Sequence, residues 1–465
     1  MRIASNIIET IKAKADIVEV IGEYVHLTKK GQNFIGLCPF HNDSTPSLTV
    51  SSAKGIYKCF ACDASGDVIK FLQEYLNISF VEAVKMLAKK YGVEIPEDSY
   101  SSIGDEDQRK RESMFIINDY ASKYYAENLF ADTDEARKAL YYATNRWPQD
   151  FIRTFGIGYA SNSWDSFSLW ANGKGLDKDL MLELGLVKEK STNDDVYDTF
   201  RGRIMIPIRD KQHRIIAFTA RLLPDILAHD PNAPKYINSS TSLIYDKGNS
   251  LFGIDVAWNV ASKAGVMNLV EGAPDVMRLQ VIGASNTVAP LGSSWTEAQL
   301  SMLKRITDRL NIIPDSDIPK EGEHFGVGFT SAMRTGKLAL SLGFIVTIQE
   351  IPIGDWKNDP DSYLVSKDKL DELTRQDFVM WYASKVINLN GENIPQQAKA
   401  IHEVAELVKT IPDKVLQESY TDKLINVYGH ENMWKREIMG VQSIPAPVAS
   451  PAISDEEYAG LFKGT

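Results

Sequence analysis

Residues 265–275 read GVMNLVEGAPD. The run from Gly265 to Val270 is apolar, of strand length and without a helical period; Glu271 stands at its end, Gly272 supplies a turn, and Pro274 suits a first helical turn. Glu271 is therefore expected at the carboxyl end of a strand that feeds a helix. The pattern repeats downstream as NTVAPL (286–291), a helix from Thr296, LNII (310–313), a helix near 328–341 and FIVTIQEI (344–351). Strands alternating with helices over 264–365 predict a parallel, doubly wound sheet.

In such sheets, sites form outside the carboxyl ends of the strands. Three strand ends here carry acids: Glu271, with Asp275 in the following helix; Asp315 and Asp317 in PDSD (314–317); and Asp355, Asp359 and Asp361 after the last strand. A lone D-x-D is usually a solvated turn. Acids on three strands in this order point instead to hard-oxygen coordination of Mg²⁺ or Mn²⁺. Gly326 and Gly328 lack the third glycine of a dinucleotide loop, and the stretch around Gly336-Lys337 fails the phosphate-loop pattern. That stretch reads as an ordinary helix.

Upstream, 113–263 mixes helices (115–129 and 134–144) with strands such as IMIPIRD and RIIAFTAR, an α+β pattern. The chain carries a net charge of -11, yet 201–247 holds eight Lys/Arg against four acids, a local balance of +4. Local balance decides nucleic-acid binding. The block includes Arg201, Arg203, Arg209, Arg221, Lys235 and Lys247.

Further toward the N-terminus, CPFH (38–41) and CFAC (59–62) place Cys38, His41, Cys59 and Cys62 as two pairs separated by seventeen residues. Each two-residue gap lets both donors of a hairpin knuckle face one tetrahedral ion, and thiolate plus imidazole selects zinc. With no fifth ligand in the pattern the site is structural, one zinc supplying folding energy. Around it, Phe34, Phe40, Tyr57 and Phe60 alternate with Lys29, Lys30, Lys54 and Lys58. This mixture suits single-stranded nucleic acid or, equally, the filling of a thin core. Gly66-Asp67 opens a helix, Ser79 with Glu82 makes a capping box for a second, and Gly92 ends it.

Divided this way, the chain has a zinc ribbon over 1–97, a polar linker over 98–112, the basic α+β unit over 113–263, the parallel-sheet unit over 264–365, helices over 366–440 and a Pro/Ala/Ser-rich tail over 441–465. Ile401, Val404, Leu407, Val408 and Ile411 form one apolar helical face, and the tail is expected to be disordered. With 44% hydrophobic and 24% charged residues, the 465-residue chain has the composition of a multidomain globular protein. No run approaches the roughly 20 apolar residues of a membrane span. The N-terminus lacks a signal-peptide core, and all three cysteines fall within 38–62, so a reducing cytoplasmic setting is expected.

Taken together, these segments resemble bacterial DnaG-type primases over about residues 5–435. The zinc region matches as DIVEVIGEYVHLTKKGQNFIGLCPFHNDSTPSLTV, YKCFACDASGDVIKFL and SFVEAVKMLA; the core matches as RGRIMIPIRD, FTAR, PKYINSS and KGNSLFGI, then EGAPD, LGSSWT, DSD and DPDSYL. The resemblance implies a Toprim (Rossmann-like) catalytic unit in which Glu271, Asp315, Asp317 and Asp359 bind metal, supported by Asp275 and Asp361. It implies that Arg203, Arg221, Lys235 and Lys247, within the block that also holds Arg201 and Arg209, line a groove for template and nucleotide. The implied activity is RNA-primer synthesis on single-stranded DNA from ribonucleoside triphosphates, with a replicative helicase and a single-strand-binding protein as partners.

Three departures stand out. Ala273 replaces a usual aromatic residue, the loop DSDIPKEGEHFGVG is longer than usual, and a short tail stands where the family carries a helicase-docking domain. The chain thus resembles a compact version, of phage or bacterial type. The tail segment SDEEYAGLFKG is an alternative helicase-docking peptide. Two rival functions remain open at this point: another Toprim enzyme that cleaves strands, or a non-catalytic single-strand-binding accessory protein.

Overall fold

The computed structural model describes residues 5–41, 43, 45–62, 64–76, 78, 80–93, 102–190, 195–354, 358–389 and 393–440. Ser79 of the expected capping box, Asp355 and the whole 441–465 tail lie outside them.

The first unit is a five-stranded antiparallel meander, Thr28–Lys30, Asn33–Gly36, Leu48–Ser51, Ile56–Cys59 and Ser65–Gly66. Its strands alternate as half-buried sheets must: Tyr57 and Cys59 face inward, Ile56 and Lys58 outward. The helices Ile17–Gly22, Val68–Leu76 and Phe80–Lys90 cover the inner face through Val20, Ile21, Phe71, Leu72 and Val84. Asp67 caps the second of these by accepting from the Lys70 N–H at 2.9 Å.

A second sheet, antiparallel, runs in the order Tyr236–Asn238, Ile215–Leu222, Arg203–Arg209, Gly158–Ala160. Met205, Phe218 and Ala220 on one face pack against the long helix Ser102–Leu129 through Met114, Ala121 and Tyr125. That helix begins inside the stretch read as a linker. EDQRKRE has no apolar period but consists, Asp107 apart, of good helix formers, and the Gln108 amide donates to Glu112 one turn on. Ile204, Ile206 and Ile208 on the other face share one core with Val270, Val276, Met277 and Ile313 of the third unit.

The third sheet has the order Leu251–Phe252, Thr287–Pro290, Met267–Leu269, Arg309–Ile312, Ile345–Gln349, Arg375–Asp377. The four inner strands are parallel, as expected; both edge strands are antiparallel. The sheet is thus wider than 264–365, because the exposed edges of the parallel core are covered by segments from either side. Its interior carries a ladder of buried amides. Asn311 Nδ2 donates to Asn268 Oδ1 at 3.0 Å and to Gln349 Oε1 at 2.8 Å, and Gln349 Nε2 donates to the Leu373 carbonyl at 2.9 Å. A one-residue slip of any of these strands would leave buried amides without partners. The helices Phe378–Leu389, Ile394–Lys409, Lys414–Tyr428 and Glu431–Met439 follow, and Trp381, Val404, Leu407 and Trp434 join the core of this sheet.

Candidate active site and metal centres

Cys38, His41, Cys59 and Cys62 converge, their ligand atoms all within 4.8 Å of one another; among the described residues this is the one cluster of His, Cys, Asp or Glu that closes so tightly. Cys38 Sγ lies 3.8 Å from Cys62 Sγ, and His41 turns Nδ1 toward Cys59 Sγ at 3.9 Å. The Ala61 and Cys62 N–H groups donate to Cys59 Sγ at 3.3 Å, as expected for a knuckle that stabilises thiolate. Burial pushes the Cys38 and Cys62 thiols up, so binding of a cation displaces protons. The donor set fits one structural zinc.

Asp43 was not singled out from the sequence, although it follows His41 by two residues. Its carboxylate accepts from the Ser47 hydroxyl at 2.5 Å and the Cys38 N–H at 2.7 Å, and stands 3.7 Å from His41 Nε2. Those bonds, the Ser47 hydroxyl first, hold it down at about 2. It braces both the first ligand loop and the histidine ring. Of the four aromatics singled out around the ligands, Phe40 and Tyr57 meet Phe71 edge to face in the core, Phe34 packs against that core, and Phe60 is 72% exposed with Lys58 Nζ 5.7 Å from its ring. Three of the four thus fill the thin core, and Phe60 stays outside it.

At the third sheet, Glu271 and Asp315 emerge from neighbouring parallel strands, and the Asp315 N–H donates to Glu271 Oε1 at 3.4 Å. Ser316 forms an isolated bridge with Asn358, which draws the 315–317 loop beside Asp359. Asp317 accepts from the Gly328 N–H at 2.8 Å, at the start of the helix Val327–Ser341. Asp359 caps the helix Pro360–Tyr363. Asp275, 6% exposed, accepts from the Gly272 and Asp361 N–H groups. Its carboxyl is raised well above the usual range, by burial first and then by Asp315, Asp359 and Glu271. Ala273 opens this helix and packs into the shared core, leaving the acids on either side in place. Repulsion among Asp275, Glu271, Asp315 and Asp359 is what a divalent cation would relieve, and an all-oxygen donor set fits Mg²⁺ or Mn²⁺.

Asp361 differs from the other acids. It is buried and ion-paired with Arg146, while Arg278 Nε lies 3.5 Å from its Oδ1 and donates to its carbonyl at 3.0 Å. Arg278 also donates to the Arg146 carbonyl at 2.7 Å. Arg146 in turn donates to the Tyr142 hydroxyl at 2.7 Å, and the Tyr142 ring lies 5.4 Å from the Arg221 guanidinium. None of Arg146, Tyr142 and Arg278 was found from the sequence; a basic residue beside an aromatic in YYATNRWP was the available signal.

The six basic candidates divide. Arg221 pairs with Ile204 and Tyr236 across the second sheet, so it stands on the face toward the acids and donates to the Tyr236 hydroxyl at 2.5 Å. Arg203 alternates with Ile204 and falls on the opposite face, with burial lowering it to about 10. The two arginines therefore do not line one wall, because their strands pair with an offset that sends them apart. Arg209 is half-buried and donates to the Phe155 carbonyl at 2.7 Å. Arg201 stacks 3.9 Å from the ring of Trp164, which is 62% exposed. Lys235 is exposed and Lys247 half-buried.

Three family models match: the CHC2 zinc finger over 3–102, the N-terminal domain of the DNA primase catalytic core over 124–258, and the DnaB-helicase binding domain of primase over 377–429. The last falls on the C-terminal helices, which corrects the expectation that a short tail stands in place of the helicase-docking domain: the matched segment lies upstream of the tail. The DNA primase of Halalkalibacterium halodurans is 35% identical, the alignment covering 88% of this chain and 67% of that one; for Clostridium acetobutylicum the values are 34%, 90% and 68%. The zinc-binding and RNA polymerase domains of Aquifex aeolicus primase superpose with a TM-score of 0.57 at 29% identity, over 94% of this chain and 99% of that one. A DNA primase domain from Pseudomonas aeruginosa gives 0.59 at 25% identity, over 70% and 99%. With its zinc ribbon, primase core and helicase-binding helices all matched, this chain belongs to the DnaG-type DNA primases, nucleotidyltransferases that synthesise RNA primers.

Proposed function

We propose that Glu271, Asp315, Asp317 and Asp359 hold the catalytic Mg²⁺ or Mn²⁺, with Asp275 supporting them and Asp361 orienting Arg146. The observation that carries this reading is the Ser316–Asn358 bridge, which sets the acids of two loops side by side opposite Glu271. When bound, divalent cations neutralise charge on the reacting phosphates and the leaving pyrophosphate. The protein's own part is positioning. Arg146 and Arg221, held by Tyr142 and Tyr236, face the triphosphate of the incoming ribonucleotide, and Lys235 and Lys247 extend the basic wall toward the template. In the reaction, a primer 3′-oxygen bonds to the α-phosphorus as the bond to the β-phosphate oxygen breaks and pyrophosphate leaves. Trp164 with Arg201 offers a stacking platform for unpaired bases.

The zinc unit serves as the template-selecting arm. Cross-strand pairing puts Ile35, Thr49 and Lys58 on one outer face, which Phe60 extends. The unit boundaries at 1–97, 113–263, 264–365 and 366–440 follow the same division of labour. Contact with a replicative helicase is assigned to the 377–429 helices; a single-strand-binding protein is the further partner, and the site of action is the bacterial cytoplasm.

The test is incorporation of labelled ribonucleotides on single-stranded templates of varied trinucleotide content. Asp315→Asn is expected to lower it more than about 100-fold with a melting temperature no lower than the parent's. Full activity would remove Asp315 from the metal site.

A further inference from the structure

The helix Val327–Ser341 joins the metal acids to the helices matched as helicase-binding. At its start, backbone meets backbone: a Cβ on Gly328 would overlap the Asp315 carbonyl, and one on Gly326 would overlap that of Asp317. The Gly328 N–H, near the positive end of the helix dipole, holds the Asp317 carboxylate at 2.8 Å. Further along, Gly336 lies flat beneath the Phe378 ring, again with no room for a Cβ.

Aromatic side chains reinforce the same line. Phe325, just before the helix, stacks on Phe329 in its first turn with ring centres 3.8 Å apart and planes at 14°. Phe329 lies 4.8 Å from Trp381, which is buried and lies 5.4 Å from Phe378. Phe325 belongs to the long 318–326 segment that follows the D-x-D acids. Side chains locked on either side of a chain entry fix its angle, as a hydrophobic staple does.

We propose that Phe325 and Phe329 are positioning residues: clamped on Trp381, they set the angle at which the helix presents its first N–H groups to Asp317, and so set how tightly the acids hold metal. This rests on the reading of Asp317 as a metal ligand. The two rings act through the helix they hold rather than on the reacting atoms, so the effect is on metal use rather than on the chemical step. It also gives the helicase-matched helices, which contribute Phe378 and Trp381, a direct packing line to the catalytic loop.

The experiment uses the full chain and measures Mn²⁺ binding by electron paramagnetic resonance without nucleotide, beside primer synthesis against Mg²⁺ concentration. Phe325→Ala and Phe329→Leu are expected to weaken Mn²⁺ binding and to raise half-saturating Mg²⁺ about 5-fold or more, with the rate at saturating Mg²⁺ within about 2-fold of the parent. Phe325→Tyr, which keeps the stack, is expected to behave as the parent. Phe325 is only partly buried, so its variants decide the matter should Phe329→Leu fail to fold. Unchanged half-saturation in Phe325→Ala, with Asp317→Asn inactive, would overturn the clamp and leave the metal assignment standing. An Asp317→Asn protein with normal Mg²⁺ response would overturn the metal assignment, and the clamp with it.

Discussion

Ser316 and Asn358 exchange both backbone hydrogen bonds, the Ser316 N–H donating at 2.7 Å and the Asn358 N–H returning at 3.1 Å. The bridge uses backbone alone, so side chain and backbone can be separated by mutation. Ser316→Ala is expected to keep full primer synthesis. Ser316→Pro removes one donor and is expected to cost about 100-fold, the scale of a 1 Å misplacement. Activity of Ser316→Pro near that of Ser316→Ala would mean the bridge does not align the acids.

Zinc content separates ligands from their brace. Cys59→Ser is expected to lose stoichiometric zinc and unfold the first unit, measured by metal analysis and limited proteolysis. Asp43→Ala should still fold with zinc in excess but bind it about 10- to 100-fold more weakly. Unchanged zinc content in Cys59→Ser would refute the ligand set.

Asp361 and Asp315 should respond in opposite ways. Removing Asp361 leaves two largely buried guanidiniums without their carboxylate, so Asp361→Ala is expected to destabilise the core by about 3–5 kcal/mol in urea unfolding. Asp315→Asn relieves repulsion and is expected to leave stability unchanged or slightly higher. Equal melting of the two variants would erase the distinction drawn between these acids.

Asp275 makes stability depend on pH in a defined direction. Its folded-state pKa lies above the unfolded value near 3.9. Between the two, the folded state binds more protons, so its contribution falls as pH rises from about 4 toward neutrality. In zinc-replete, magnesium-free buffer the melting temperature should carry this downward slope, and saturating Mg²⁺ should flatten it. An identical slope with and without Mg²⁺ would rule out a cation beside Asp275.

How far these features were legible depended on range. Glu271 and Asp315 could be placed side by side because an acid at a strand end is a local pattern, and alternation with helices brings strand ends together. Asp361 looked the same as Asp359, two residues away, since nothing local says which of them is buried. Its partner Arg146 lies 215 residues earlier, beyond any periodicity. Arg203 and Arg221 were expected in one groove from the resemblance, and the +4 charge count could not separate them because it ignores strand register, which sends them to opposite faces. The two edge strands escaped because Leu251–Phe252 is only two residues long and Arg375–Asp377 is three polar residues, and the extended form of each comes from its neighbour.

The amide ladder through Asn268, Asn311 and Gln349 bears on the long loop after Asp317. Because strand alignment is secured in the interior, the connections above it can grow or shrink without shifting Glu271 relative to Asp315. The rim is thereby free to vary. The 318–326 segment can hold contacts of its own, such as Phe325 on Phe329, while the strand alignment is kept one layer below.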